Sequence, residues 1–311
     1  MFGGGTTATE ALVSEQTPET WTILKLLRWS QTFLQQKGIE SPRLDAEVMI
    51  AHLLNLRRID LYARFDQPLT KPELDKYRAM VRDRVARKPV AYIIGHREFW
   101  ALDLVVNEHV LIPRPDTELL VERAREVLRQ RQQAQPGEPV RVLDLGTGSG
   151  AIALALAKEL PEARVWASDL SPQALEVARE NARRLGFAER VSFLEGDLFE
   201  PVKAAGLGPF DVVVSNPPYI PEGDIAGLMP EVGRHEPLLA LTPGPSGLEV
   251  LRRLAAEAGA WLRDGGSVVC EIAYNQGPSA AEVFSGAGWA EVKIVKDPLT
   301  RQDRAVHAVK A

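Results

Sequence analysis

Ser215-Asn216-Pro217-Pro218-Tyr219 follows directly on the apolar run Asp211-Val212-Val213-Val214. The run reads as the end of a buried strand, and the two prolines then turn the chain abruptly. Proline has no N–H, fixes its own φ and pushes its predecessor towards extended geometry. Such a turn presents carbonyl oxygens in a stiff arrangement, with the Asn216 carboxamide on one flank and the Tyr219 ring on the other. A rigid set of acceptors beside an aromatic wall suits an uncharged, planar NH2 group. Taken alone, a Pro-Pro turn is an ordinary strand end; its surroundings give it a second meaning.

Upstream, Gly146-Thr147-Gly148-Ser149-Gly150 follows the strand-like Arg141-Val142-Leu143-Asp144-Leu145 and precedes a helical pattern from Ala151 to Leu160. Glycines there let the backbone approach a ligand closely and put a helix N-terminus behind it. The spacing is Gly-x-Gly-x-Gly, not the Gly-x-Gly-x-x-Gly of dinucleotide binders. A second strand, Arg164 to Ser168, ends at Asp169, where an acid accepts from the ribose hydroxyls of a nucleoside. Asp169 followed by Leu170-Ser171-Pro172 is also an ordinary helix start. A third strand, Val191 to Leu194, ends near Asp197-Leu198, where the carboxylate or a nearby backbone carbonyl could accept from an adenine amino group.

The elements that must position these groups alternate. A helix from Pro172 to Leu185 separates the second and third strands. A long helix from Gly247 to Leu262 leads over Gly265-Gly266 to a fifth strand, Ser267 to Ile272. Two more strands, Val292–Val295 and Ala305–Val309, complete a seven-stranded, mainly parallel sheet with helices on both faces, an α/β fold. Ligands of such sheets bind outside the carboxyl ends of the strands. Gly146 to Gly150, Asp169, Asp197 and Asn216 all fall there.

The region before the sheet is different in kind. Thr20 to about Lys88 is helical in pattern: Ile23, Leu27, Ser30 and Leu34 recur at helical spacing before Gly38, and Leu44, Val48, Ile50 and Leu54 do so after it. Thr70-Lys71-Pro72-Glu73 has capping-box spacing and opens a helix with Leu74, Tyr77, Val81 and Val85 inward, ended by Pro89. The arginines and lysine at 82, 84, 87, 88 and 97 read as a solvated face, and His52 as a surface or core residue. Phe99-Trp100, Leu102–Val106 and Val110–Ile112 are extended in character, with Asn107-Glu108-His109 turning between them. Asp116 or Thr117 can cap the helix carrying Leu119, Leu120, Val121 and Val127, and Gln132 to Gly137 is a polar loop. Arg114, held between Pro113 and Pro115, is a further site candidate. The expected organisation is a disordered lead-in over 1–18, a helical, partner-binding bundle over 19–88, a hairpin linker over 89–115 and the α/β domain over 116–311.

Net charge is −5 over 311 residues, against a broad basic surface for nucleic acid. A lone cysteine, Cys270, in Ser267-Val268-Val269-Cys270 reads as a core thiol and excludes a disulfide framework or cysteine-based metal site. No stretch approaches the roughly 18 apolar residues of a membrane span, and the N-terminus lacks the features of a secretory signal, so a cytoplasmic protein is expected.

With Asn216-Pro217-Pro218-Tyr219 added to these sites, the α/β part resembles the class I S-adenosylmethionine-dependent methyltransferases that act on amino nitrogen. Tyr92-Ile93-Ile94-Gly95-His96-Arg97-Glu98-Phe99, Leu111-Ile112-Pro113-Arg114-Pro115-Asp116-Thr117-Glu118 and Glu236-Pro237-Leu238-Leu239-Ala240-Leu241 narrow the resemblance. They resemble the signatures of the peptide chain release factor glutamine methyltransferases, the HemK/PrmC family, from about residue 20 to the end. The departure is Ala273 in Glu271-Ile272-Ala273, where the family pattern carries glycine. The resemblance implies S-adenosylmethionine as methyl donor, S-adenosylhomocysteine as product and no metal. It also implies a class 1 release factor as protein substrate, methylated on the glutamine of its Gly-Gly-Gln loop by a monomer that contacts no nucleic acid. By the same route Asn216, Pro217, Pro218 and Tyr219 are the catalytic residues, with the Asn216 oxygen and the Pro217 carbonyl accepting the two N–H bonds and Tyr219 packing on the glutamine side chain. The cofactor then lies on Gly146, Thr147, Gly148, Ser149, Gly150, Asp169, Asp197, Leu198 and Asn216. Ribosomal protein L3 glutamine methyltransferases share these motifs, and a DNA or RNA amino-methyltransferase is the alternative of another class.

Overall fold

The computed structural model describes residues 20–311, so the lead-in expected over 1–18 lies outside the described residues. One compact unit ends at Ile94 and a second spans Gly95–Ala311.

In the first unit, Thr22 opens α1 (Ile23–Gln36): its hydroxyl accepts from Lys25 N at 3.4 Å, pairing one of the donors that a helix N-terminus leaves free. Helix α2 (Pro42–Leu53) turns Ala46, Met49 and Ile50 inward and leaves Leu44, expected on that face, 44 % exposed. After the one-turn α3 (Asp60–Ala63), Thr70 and Glu73 close the expected capping box on α4 (Lys71–Val85). The buried Tyr77 hydroxyl donates to Ser30 Oγ at 2.8 Å, and Ser30 donates onward to the Leu26 carbonyl at 2.7 Å. The basic run is a solvated face at Arg82 but not at Arg84 or Arg87. Arg84 is buried against Asp45 of α2 at 2.7 Å, and Arg87 donates to the Gly38 and Lys37 carbonyls at 3.0 and 3.1 Å. These two side chains tie the end of α4 to its neighbours. Beyond Pro89 the chain forms a short helix, α5 (Val90–Ile94), where an extended linker was expected, and the unit therefore ends after Ile94 instead of Lys88.

The second unit begins with a hairpin of β1 (His96–Phe99) and β2 (Leu102–Val105), Phe99 opposite Leu102. Its turn is Trp100-Ala101, both at φ 51°, not Asn107-Glu108-His109. Paired positive φ values match the twist of the flanking strands. Val110–Ile112 forms no strand. A 3₁₀ turn, Pro115–Thr117, leads into α6 (Glu118–Ala134), which runs through Gln132 and Gln133 to Ala134, residues expected in the loop.

The sheet comprises β3 (Arg141–Leu145), β4 (Arg164–Asp169), β5 (Val191–Glu195), β6 (Phe210–Ser215), β7 (Leu262–Glu271), β8 (Glu291–Lys296) and β9 (Asp303–Val309), in the order β5-β4-β3-β6-β7-β9-β8. The first five are parallel, while β9 runs antiparallel to both its neighbours. Alternation along buried strands sorts their side chains into two cores. Val142, Val212 and Val214 pack with α6, α7 (Ala151–Glu159) and α8 (Pro172–Arg184). On the other face Leu143, Leu145 and Val213 pack with α9 (Glu200–Ala204), α12 and α13. Before these last come the short α10 (Pro230–Gly233) and α11 (Leu238–Leu241); α12 is Glu249–Glu257 and α13 is Gly277–Gly286. The helix expected from Gly247 to Leu262 is thus shorter, ending in a 3₁₀ turn, Ala258–Trp261. Gly265 and Gly266 lie inside β7, at a register shift against Phe210 and Val212, where a loop was expected. Strand order reverses on either side of β3 and β6, which opens a crevice at their carboxyl ends. No helix among the described residues is long and apolar enough to cross a membrane.

Candidate functional site

The chain leaves β3 through three left-handed glycines, Gly146, Gly148 and Gly150, at φ 69°, 55° and 83°. Where a Cβ would stand at Gly146 and Gly148 there is open space, whereas at Gly150 it would meet Leu154 and Ala178 at 3.2 and 3.3 Å. The first two therefore clear room for a ligand, and the third lets α7 close on α8. Beneath the loop lies Asp144, fully buried; its Oδ2 accepts from the Thr147 hydroxyl at 2.7 Å and Ala153 N at 3.1 Å, and its Oδ1 has no partner. Burial pushes this carboxyl up to about 7 against those two hydrogen bonds, helped by the Asp169 charge. Asp169 accepts from Gly148 N at 2.8 Å and from Ser171 N at 2.9 Å, so it braces the glycine loop as well as opening α8. Burial raises it too, opposed by these backbone donors.

Asp197 lies two residues past the end of β5 rather than at it, and its carboxylate pairs with Arg253 Nη1 at 2.9 Å. The next residue, Leu198, takes φ 44°, a conformation a branched side chain seldom adopts, and its carbonyl accepts from Ser168 Oγ at 3.3 Å.

At the end of β6, Ser215 Oγ donates to the Leu145 carbonyl at 2.7 Å and fastens the two strand ends together. Asn216 Nδ2 then donates to Thr117 Oγ1 at 3.2 Å. Thr117 occupies the N-cap position of α6, as expected, but its side chain makes no cap hydrogen bond and serves the site instead, and Asp116 pairs with Arg304 at 3.0 Å. Tyr219 is held at both ends. Its hydroxyl donates to Glu271 Oε1 at 3.1 Å, and its carbonyl accepts from Gln276 Nε2 at 3.0 Å. Burial, followed by the Glu271 charge, raises the phenol. Gln276 also donates to the Gly247 carbonyl at 3.2 Å. Arg114 forms an ion pair with the buried Glu236, whose carboxyl is raised by burial against the pull of that guanidinium.

A cavity of about 220 Å³ runs over these strand ends. Of the residues expected to form the site, all but Gly150, Tyr219 and the further candidate Arg114 line it, and Thr117 joins them. Tyr219, expected to pack on a substrate side chain, is occupied with Glu271. Thr117, Gly247, Glu271 and Gln276 carry no local signal of a role. Thr117 and Glu271 stand in stretches that bear on the family resemblance, but their partners lie far along the chain.

The model of the PrmC N-terminal domain family matches residues 25–95, and that of a methyltransferase domain matches residues 137–260. The release factor glutamine methyltransferase of Geobacter sulfurreducens is 43 % identical over 281 residues, covering 90 % of this chain and 94 % of its own. That of Rhodopirellula baltica is 40 % identical over 305 residues, 97 % of this chain and all (100 %) of its own. The crystal structure of the hMettl16 catalytic domain in complex with MAT2A 3'UTR hairpin 1 has a TM-score of 0.56 at 15 % identity, covering 90 % of this chain and 91 % of that one. That likeness is one of fold. The second unit has the class I methyltransferase fold.

Proposed function

The chain belongs to the release factor glutamine methyltransferases, and from this we propose that it transfers a methyl group from S-adenosylmethionine to the side-chain amide nitrogen of the glutamine in the Gly-Gly-Gln motif of class 1 peptide chain release factors. The cavity fits the donor. Open space over Gly146 and Gly148 admits a ligand against the backbone, and Asp169, anchored through one lone pair on each oxygen, keeps others for ribose hydroxyls. Because Arg253 engages Asp197, a backbone carbonyl of the Asp197-Leu198 loop is the better acceptor for an adenine amino group. Bound there, S-adenosylmethionine supplies an electrophilic methyl on a sulfonium.

The Asn216–Thr117 hydrogen bond carries the reading of the acceptor side. It commits the NH2 end of Asn216 and leaves Oδ1 as an acceptor towards the cavity. A carboxamide nitrogen is a poor nucleophile because its lone pair is delocalised into the carbonyl. Asn216 Oδ1 and the Pro217 carbonyl accept its two N–H bonds, aim the lone pair and offset the positive charge that develops on nitrogen. The proton leaves after transfer, so no acid–base pair is required. Tyr219 is assigned to holding the turn, since it does not line the cavity.

The test is incubation with radiolabelled methyl donor and, separately, a class 1 release factor, ribosomal protein L3 and nucleic acid. Label is expected on the release factor and not on a variant whose Gly-Gly-Gln glutamine is replaced. Label on L3 or nucleic acid alone, or on the glutamine-replaced factor, refutes the assignment.

A further inference from the structure

We propose that Glu271 is a positioning residue that fixes, through Thr117, which end of the Asn216 carboxamide faces the cavity. The proposal rests on the reading of Asn216 Oδ1 as the acceptor for the substrate amide.

The register brings these groups together. Ser215 of β6 pairs with Cys270 of β7, so Asn216 and Glu271 are the next residues of adjacent parallel strands. Glu271 is 1 % exposed and Thr117 4 %, so water cannot freely serve their polar atoms. Glu271 Oε1 accepts from the Tyr219 hydroxyl, while Oε2 is buried without a hydrogen-bond partner. Thr117 accepts from Asn216 Nδ2 and has one proton of its own to place. The acceptor at hand is the Glu271 carboxylate, and the Thr117 hydroxyl is among the groups that hold that carboxyl down.

Hydrogen-bond polarity then follows from valence. A carboxylate only accepts: Tyr219 donates to Oε1, and the buried, unpartnered Oε2 is the acceptor to which we assign the Thr117 proton. With its proton turned to Glu271, Thr117 offers Asn216 a lone pair, which selects the NH2 end of the amide and leaves Oδ1 for the site. A neutral carboxylic acid removes that constraint: it donates, and Thr117 is then free to turn its proton to Asn216. The amide can reverse and present NH2 to the NH2 of a substrate amide, two donors with nothing between them.

The charge state of Glu271 is set by its surroundings. Burial pushes it up to about 7, the Thr117 and Tyr219 hydroxyls and the Arg304 guanidinium lower it, and Asp116 raises it. Arg304 is itself paired with Asp116, and the neighbouring Cys270 thiol is raised by burial far from titration near neutrality. Glu271 is therefore the group of this cluster that changes charge around neutral pH.

The test uses the full chain with Glu271→Gln, Thr117→Val and Thr117→Ser, read in two ways. In ¹⁵N-labelled protein the Asn216 side-chain resonances, identified by their loss in Asn216→Asp, are expected to shift between pH 5.5 and 8.5 with one midpoint near neutrality. In Glu271→Gln they are expected not to titrate. In the methylation assay Glu271→Gln and Thr117→Val are expected to lower kcat about tenfold or more through misorientation, with S-adenosylmethionine affinity unchanged. Thr117→Ser, which keeps the hydroxyl, is expected to restore most of the rate. Asn216 resonances that ignore pH in the parent, or a Thr117→Val enzyme with parental kcat, overturn the proposal. If the methyl goes to another acceptor, the functional reading falls while the resonance titration still decides the role of Glu271.

Discussion

Gly247 does not line the cavity over the strand ends, yet its replacement by alanine is expected to impair turnover. The residue is buried at φ +72°, and a Cβ built there stands 2.5 Å from the Tyr219 carbonyl oxygen and 3.1 Å from Pro221 Cδ. Relaxed carbon–oxygen contacts lie at about 3.3 Å or more, so the carbonyl must retreat by roughly 0.8 Å. That movement pulls it from Gln276 Nε2, now 3.0 Å away, beyond hydrogen-bond range. The lost bond costs about 1 kcal/mol and the left-handed conformation of an alanine about 1–2 kcal/mol. A total near 2–3 kcal/mol corresponds to a fall in Tm of about 4–12 °C for a domain of this size. The displaced carbonyl belongs to the Asn216–Tyr219 turn, and misplacement on the order of 1 Å can cost ~10²-fold in rate. Thermal unfolding and steady-state methylation, with binding of S-adenosylmethionine measured separately, check both effects. Unchanged kcat in a variant of lowered Tm refutes the coupling of Gly247 to the turn; unchanged kcat and Tm together refute the close approach itself.

Asn216→Ala is expected to abolish turnover and leave cofactor affinity nearly intact by calorimetry; equal loss of both makes Asn216 structural. Asp169→Ala removes the brace of the glycine loop and a charged acceptor, with an expected loss of about 10–100-fold in cofactor affinity and a smaller change in kcat at saturation. Asp144 and Glu271 are both raised to about 7, so the folded protein holds protons that the unfolded chain sheds near pH 4. Their contribution to stability is complete below that pH and is lost as pH rises through 7, on the order of 3 kcal/mol each. Urea unfolding from pH 5 to 8.5 is expected to show this decline, and Asp144→Asn or Glu271→Gln to flatten it. In the helical unit, Arg84→Ala removes the largely buried ion pair with Asp45, and a loss of about 3 kcal/mol is expected in chemical denaturation.

The strands and glycine loop were legible because their signals are local: an apolar run, a set of left-handed glycines, an acid or amide at the strand end. Asn107 even forms the turn its type suggests, its Oδ1 accepting from His109 N at 3.0 Å, but that turn joins no strands. The hairpin instead bends at Trp100-Ala101, residues with no turn preference, because the pairing of Phe99 with Leu102 imposes it. Thr117 looked like a cap for the helix beside it; its hydroxyl answers to Asn216, 99 positions away. Arg84 looked solvated because a run of charges hides the one member that is itself buried, against the partly buried Asp45. Gly247 and Gln276 were silent for the same reason, since what each must accommodate is a carbonyl from another part of the chain.

The place of β9 bears on the order in which the molecule is assembled. It is the last strand in chain order, yet it lies between β7 and β8 and is the sole neighbour of β8 in the sheet. During vectorial synthesis the parallel strands β3 to β7 can pair early, while β8 waits for a strand not yet made. Glu271 sits at that seam, opposite Ala305 of β9, with Arg304 one residue away. The parallel half of the sheet can therefore form its glycine loop, and with it a cofactor pocket, before the carboxylate beneath Tyr219 has its final surroundings. Binding competence is expected to appear in shorter nascent chains than catalytic competence does.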